Sequence, residues 1–123
     1  MAKSEIEIWL EKMAEYLENA WGIDKTFSKS AATLYLYFAH YGLSPVITSG
    51  RRSREKQEEL TRRYLSGDRS VVVKPASNSK HLSGTAIDIS TNNSKTAAAI
   101  ATAIGVGAGL YFSTPDPVHF YKP

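Results

Sequence analysis

Ser79-Lys80-His81-Leu82-Ser83-Gly84-Thr85-Ala86-Ile87-Asp88 is the most informative segment of the chain. It begins around a histidine, turns at a glycine and runs into an alternating segment. Thr85 to Ser90 reads as a strand with Ala86 and Asp88 on one face and Ile87 on the other. Gly84 lets the chain turn tightly enough for Asp88 to come back toward His81. Near the C-terminus, Asp116-Pro117-Val118-His119 sets a second histidine beside a carboxylate and another short apolar run. In a straight strand Asp116 and His119 would face opposite ways. Pro115 and Pro117 put Asp116 in a turn instead, from which both side chains can converge on one site.

Two histidines and one aspartate make a full protein ligand set for a catalytic Zn²⁺, with the fourth position open to water. His81, Asp88 and His119 are the candidates, and Asp116 remains as a base. That division of labour points to hydrolysis of an amide. Taken singly, each His/Asp pair is more readily a surface hydrogen bond or a helix cap than a pair of metal ligands. The third histidine, His40, falls in an apolar helical pattern and reads as a packed or helix-end residue.

Working outward, residues 4 to 20 suit an amphipathic helix, with Ile6, Trp9, Leu10, Met13, Tyr16 and Leu17 recurring at threes and fours. Ser4 is its cap and Gly22 its stop. Residues 27 to 41 form a second helix, apolar on most faces and therefore buried, ending at Gly42. These two helices are expected to cover one face of the sheet, and the aromatic spacing of the first, Trp9 included, reads as core. After the break at Leu43-Ser44-Pro45, Val46-Ile47-Thr48 reads as a short strand. Ser53 to Leu65 is a third helix, with Ser53 as cap and Gly67 as stop. Residues 67 to 80 form a loop carrying a short extended piece, Val71-Val72-Val73. Lys95 to Ile104 is an Ala-rich helix opened by Asn92-Asn93-Ser94, and Val106 to Phe112 and Val118 to Tyr121 complete the strands. Helices first and strands mostly later argue for an α+β fold, a small antiparallel sheet flanked by helices.

A chain of 123 residues is one domain. Residues 1–42 form a helical N-terminal part, and 43–123 form the core that carries the site. There is no repeat or linker, and no apolar run reaches the length that crosses a membrane. The start, Met1-Ala2-Lys3-Ser4-Glu5, has no apolar segment of the secretory kind, so a chain made in the cytoplasm without a signal peptide is expected. Cysteine is absent, which excludes thiol nucleophiles, thiolate metal sites and disulfides. Fifteen Lys and Arg against twelve Asp and Glu leave a net charge of +3, with the positive residues gathered between Arg51 and Lys80. That cluster suits an anionic polymer or a solvated helix face in equal measure. No nucleic-acid reader motif accompanies it, and few aromatics interleave with it, so nucleic acid is not the expected partner.

The motif series carries a resemblance. Ser-x-His-x-x-Gly-x-Ala-x-Asp follows Thr48-Ser49-Gly50-Arg51-Arg52-Ser53 with Gln57 and Leu60, and Asp-x-x-His-Phe closes it. In that order the motifs resemble the zinc D-alanyl-D-alanine carboxypeptidase family. The family spans VanY-type carboxypeptidases, vancomycin-resistance D,D-dipeptidases and phage L-alanyl-D-glutamate endolysins, with a hedgehog-like fold. The resemblance covers about residues 45–121 and leaves the first 42 residues without a matching motif.

What it implies is a single zinc peptidase domain in which His81, Asp88 and His119 bind Zn²⁺ and Asp116 is the catalytic base, as in the endolysin branch. Arg52 would steady the substrate carbonyl and its oxyanion, Gln57 would support the Arg52 segment, and Ser79 would be a hydrogen-bonding support. Arg51 stands where the family usually has an aromatic. The implied substrate is a peptidoglycan stem peptide, cut by a monomer acting on the bacterial cell wall, in the manner of a phage- or prophage-encoded enzyme. Both L-alanyl-D-glutamate endopeptidase and D-alanyl-D-alanine carboxypeptidase action stay open. A different class also stays open: a catalytically silent, metal-bearing module that binds the wall or belongs to a virion. An intact Asp116 argues against it, since a binding module needs no base beside its ligands.

Overall fold

Four side chains begin the four helices by accepting hydrogen bonds from backbone N–H groups that a first turn leaves unpaired. Ser4 accepts from Glu7 N at 3.2 Å, Asp24 from Thr26 N at 2.9 Å, Ser53 from Lys56 N at 3.1 Å and Asn93 from Thr96 N at 3.1 Å. The helices that follow are α1 (Glu5–Trp21), α2 (Lys25–His40), α3 (Arg54–Leu65) and α4 (Ser94–Ala103). This is a computed structural model, and it describes residues 2–70, 80–109 and 119–123. The extended piece expected at Val71–Val73, Ser79, the turn holding Asp116, and the parts of the last two strands at 110–112 and 118 lie outside the described residues.

The strands are β1 (Val46–Ser49), β2 (Ala86–Ser90), β3 (Gly107–Ala108) and β4 (His119–Tyr121), in sheet order β1-β2-β4-β3 with every pair antiparallel. Alternation along β2 turns Ile87 and Ile89 to the helices and Asp88 to the opposite face. Register does the rest: Ile87 pairs with Phe120 and Asp88 with His119. On the helix side the Phe120 ring lies 5.3 Å from that of Phe38 in α2, and Leu34, Ala97 and Ala101 join the same buried cluster. A buried side chain of the size of Phe38 or Ile87 stabilises the fold by about 1.5–3 kcal/mol. The expected α+β architecture, a small antiparallel sheet with helices against it, is the one found.

Three details differ from the sequence reading. First, α2 starts at Lys25, earlier than expected, because Asp24 caps a polar first turn that carries no apolar periodicity. Second, α4 packs on the sheet beside α2, whose Phe38 meets Phe120, α1 packs on α2, and Trp9, expected in the core, is exposed on α1. Third, the strand expected from Val106 begins at Gly107, pairing at Gly107 and Ala108, with Gly109 N donating to the His119 carbonyl at 2.8 Å. His40 is an exposed helix-end residue, its ring edge-on to Tyr41 at 5.0 Å. Among the described residues no helix is long and apolar enough to cross a membrane.

Candidate metal centre

The polar face of the sheet carries the site. Asp88 and His119 are directly opposed on neighbouring strands, where side chains on one face stand within contact of each other. His81 arrives from a one-turn 3-10 segment, Lys80–Ser83, which Gly84 ends at a φ of 77°. This is a left-handed conformation that side chains with a Cβ rarely adopt. The turn swings the His81 ring, 1 % exposed, over the start of β2.

The three side chains converge. His81 Nε2 lies 3.0 Å from Asp88 Oδ1 and 3.2 Å from His119 Nδ1, and His119 Nδ1 lies 3.1 Å from the same Asp88 oxygen. These atoms form the one group of three or more metal-ligating side chains found among the described residues. With bonds of about 2.0–2.1 Å, ligands of a tetrahedral zinc ion stand about 3.3 Å apart, so the triangle has nearly the edge a zinc ion requires.

The donor set fits as well. His81 Nδ1 sits 2.7 Å from the Gly50 carbonyl, which can only accept, so Nδ1 carries the hydrogen and Nε2 is left to bind. A lone pair on Nε2, a carboxylate oxygen and a second imidazole nitrogen repel one another unless protons or a cation lie among them. A proton answers one edge of the triangle, and a divalent cation answers all three.

Burial pushes the Asp88 carboxyl up, but hydrogen bonds from His119 and His81, with their charges, outweigh it. The carboxyl is held well below its ordinary value.

Arg52 serves this carboxylate. Its Nη2 donates to Asp88 Oδ2 at 3.0 Å, the oxygen turned away from the histidines, and its Nη1 donates to Gln57 Oε1 at 3.3 Å. Gln57 is buried in α3, so the guanidinium is held between a helix and a strand. A bulge in β1, where Ser49 pairs with Asp88 directly after Ile47 pairs with Ile89, re-aims the chain entering this segment. His119 is flanked by Tyr121, ring centroids 5.7 Å apart, and Lys80 Nζ stands 5.9 Å from the Tyr121 ring centre.

Of the site residues read from the sequence, the structure brings together His81, Asp88, His119, Arg52 and Gln57. Ser79 and Asp116 lie outside the described residues. The sequence reading missed the part played by the Gly50 carbonyl. Its only signal is a glycine between the β1 strand and an Arg-Arg pair, which any loop glycine would give.

Beside the site lies a cleft of about 940 Å³ between the end of α1 and the start of α3. Arg51, Arg52, Arg54 and Lys56 line it together with Trp21 and Leu82, and no carboxylate is among its described lining residues.

Known structures share this arrangement of elements. One is a variant of the vancomycin resistance D,D-pentapeptidase VanY from a VanB-type resistance cassette, in complex with Zn(II). It is similar at a TM-score of 0.64 and 19 % identity, over 81 % of this chain and 72 % of that one. The L-Ala D-Glu endopeptidase ChiX of Serratia marcescens is similar at a TM-score of 0.62 and 17 % identity, over 99 % and 96 %. The chain has the fold of these peptidases. The LD-carboxypeptidase LdcB, whose structure concerns peptidoglycan recognition, is similar at a TM-score of 0.63 and 20 % identity over 81 % of this chain. The chain spans 58 % of LdcB's length. No protein-family model matches the sequence, and no curated protein does.

Proposed function

We propose that this protein is a zinc-dependent peptidase that hydrolyses an amide bond in peptidoglycan stem peptides. His81, Asp88 and His119 are its metal ligands and Asp116 its base. The observation that carries the reading is the triangle of His81 Nε2, Asp88 Oδ1 and half-buried His119 Nδ1, with edges of 3.0 to 3.2 Å. The shared fold supports it: VanY is a D,D-pentapeptidase with zinc, and ChiX cuts an L-Ala D-Glu bond. Bound zinc supplies Lewis-acid polarisation and acidifies water.

The chain's own residues do the rest. Arg52 holds the outer oxygen of Asp88 and brings a positive charge close to where an amide oxygen becomes anionic. Donors of this kind are worth about 2.7–4 kcal/mol each in such reactions. Asp116 takes the proton of the attacking water and returns it to the leaving amine nitrogen. Ser79 supports the His81 loop by hydrogen bonding. The cations of the neighbouring cleft favour the carboxylates of an acidic stem peptide.

Digestion of purified peptidoglycan by zinc-loaded protein and by Asp116→Ala, with product masses, tests this. Zinc-dependent release of peptide fragments, lost in the variant, is expected, and the masses name the bond. An intact wall with zinc bound stoichiometrically would overturn the peptidase in favour of a metal-bearing wall-binding module.

A further inference from the structure

We infer that the turn joining α1 to α2 is a positioning element of the metal centre, acting on His81 through the backbone of Gly50. This rests on reading His81 as a metal ligand, and it gives the N-terminal helices a part in the site.

The contact is backbone on backbone. Trp21, the last residue of α1, offers its carbonyl to Arg51 N at 2.8 Å. Gly50 is pressed against the same group. A Cβ added there would stand 2.2 Å from the Trp21 oxygen and 3.1 Å from its carbonyl carbon. Neither atom belongs to a side chain that can rotate away. The carbonyl of Gly50 in turn accepts from His81 Nδ1 at 2.7 Å. Seated against α1 on one side, Gly50 presents its oxygen to the ligand ring on the other.

The same turn also grips the far side of the His81 loop. Asp24 N donates to the Gly84 carbonyl at 2.9 Å, and a Cβ on Gly84 would fall 2.6 Å from the Gly22 oxygen. Residues 21 to 24 therefore touch the chain both at Gly50 and Arg51 and at Gly84, with His81 between them. The His81 carbonyl, for its part, accepts from Arg52 N at 3.0 Å. Because the ring is buried, water is poorly placed to replace the Gly50 carbonyl if it withdraws. The acceptor then no longer selects the tautomer that leaves Nε2 ready to bind.

The test reads zinc affinity by chelator competition and the His81 tautomer from imidazole ¹⁵N shifts in the metal-free protein. Wild type is expected to carry its hydrogen on Nδ1 of His81. Gly50→Ala is expected to lose about 10- to 100-fold in zinc affinity, the size of effect seen when a ligand's outer partner is removed. It should also give a mixed tautomer. Gly42→Ala is the control: it strains the same helical pair at a φ of 71° but meets nothing within 4 Å. Its melting temperature should drop while zinc affinity stays within about twofold of wild type.

A Gly50→Ala protein that melts lower yet keeps its zinc affinity and tautomer would make Gly50 a packing residue and overturn the inference. Should that variant not fold, the wild-type spectrum decides, since an Nδ1 of His81 that carries no hydrogen contradicts the inference directly. Zinc binding with no wall digestion would remove the peptidase and leave this inference standing. No zinc binding by wild type would remove both.

Discussion

Asp88 and His119 face each other across the β2–β4 pair, and their converging atoms, Oδ1 and Nδ1, stand 3.1 Å apart. Strand register alone brings them together, so this half of the proposed centre is as rigid as the sheet. Asp88→Asn keeps the shape and replaces an anionic oxygen with a neutral amide. Zinc affinity by calorimetry is expected to fall by more than about 100-fold, beyond the effect of losing an outer partner, with the circular dichroism spectrum unchanged. Wild-type affinity in Asp88→Asn would take Asp88 out of the ligand set.

The lowered pKa of Asp88 matters for the stability of the metal-free protein. The folded carboxyl titrates below its unfolded value of about 3.9, so its contribution to stability is fully present above that pH. It is lost as the pH falls toward the folded value. Urea unfolding of metal-free wild type and Asp88→Asn should therefore show the wild-type advantage at pH 6 and a smaller one at pH 3. A difference that does not change between the two would mean that the imidazoles do not stabilise the carboxylate.

Arg52 and Gln57 act as a pair. Lysine has no planar fork with which to reach Asp88 Oδ2 and Gln57 Oε1 together, so Arg52→Lys is not a conservative change. It is expected to lower kcat/KM by about 100-fold, the scale of removing one oxyanion donor. Gln57→Leu should cost less, about 10-fold, because it frees the guanidinium without removing it. The double variant should be no worse than Arg52→Lys alone, since one residue works through the other. Fully additive losses would separate their roles.

How much of this could be read from residues alone depended on whether the signal was local. Gly22 as the stop of α1 was legible because its φ of 65° suits glycine, and Ser53 because a helix start needs an acceptor. The face-splitting of Ile87 and Asp88 followed from strand alternation. The start of α2 was not legible, since Lys25 and Thr26 carry no apolar period. Nor was the short β3, where Gly107 lies flush against the Tyr121 ring, a contact made only in three dimensions. The same limit governed the site. His81, Asp88 and His119 stood out by residue type, but the Arg52–Asp88 pairing spans 36 positions and leaves no trace in local sequence. The Gly50 carbonyl is backbone, so its identity carries no chemistry to read.

Core packing gives a prediction independent of zinc. The Phe38 ring is fully buried and meets Phe120 at 5.3 Å, directly behind the strand that carries His119. Phe38→Ala is expected to cost about 3–5 kcal/mol in denaturant unfolding, as large-to-small changes at buried aromatics do. A cost below about 1 kcal/mol would mean that α2 does not support β4.

The cleft beside the centre sets a preference for charge. Arg51 and Arg54 line it, and no carboxylate is among its described lining residues. Opposite charge in a concave site raises the local concentration of an acidic substrate, and salt screens that attraction over about 10 Å at 0.1 M. Arg51→Glu/Arg54→Glu is therefore expected to lower kcat/KM on an acidic stem peptide by about 10-fold or more at low salt, and by less at high salt. On the same peptide with its side carboxyls amidated the loss should nearly vanish, and zinc affinity should not change. Equal losses on both peptides would point to damage at the centre itself. No loss on either would mean that substrate does not pass through this cleft.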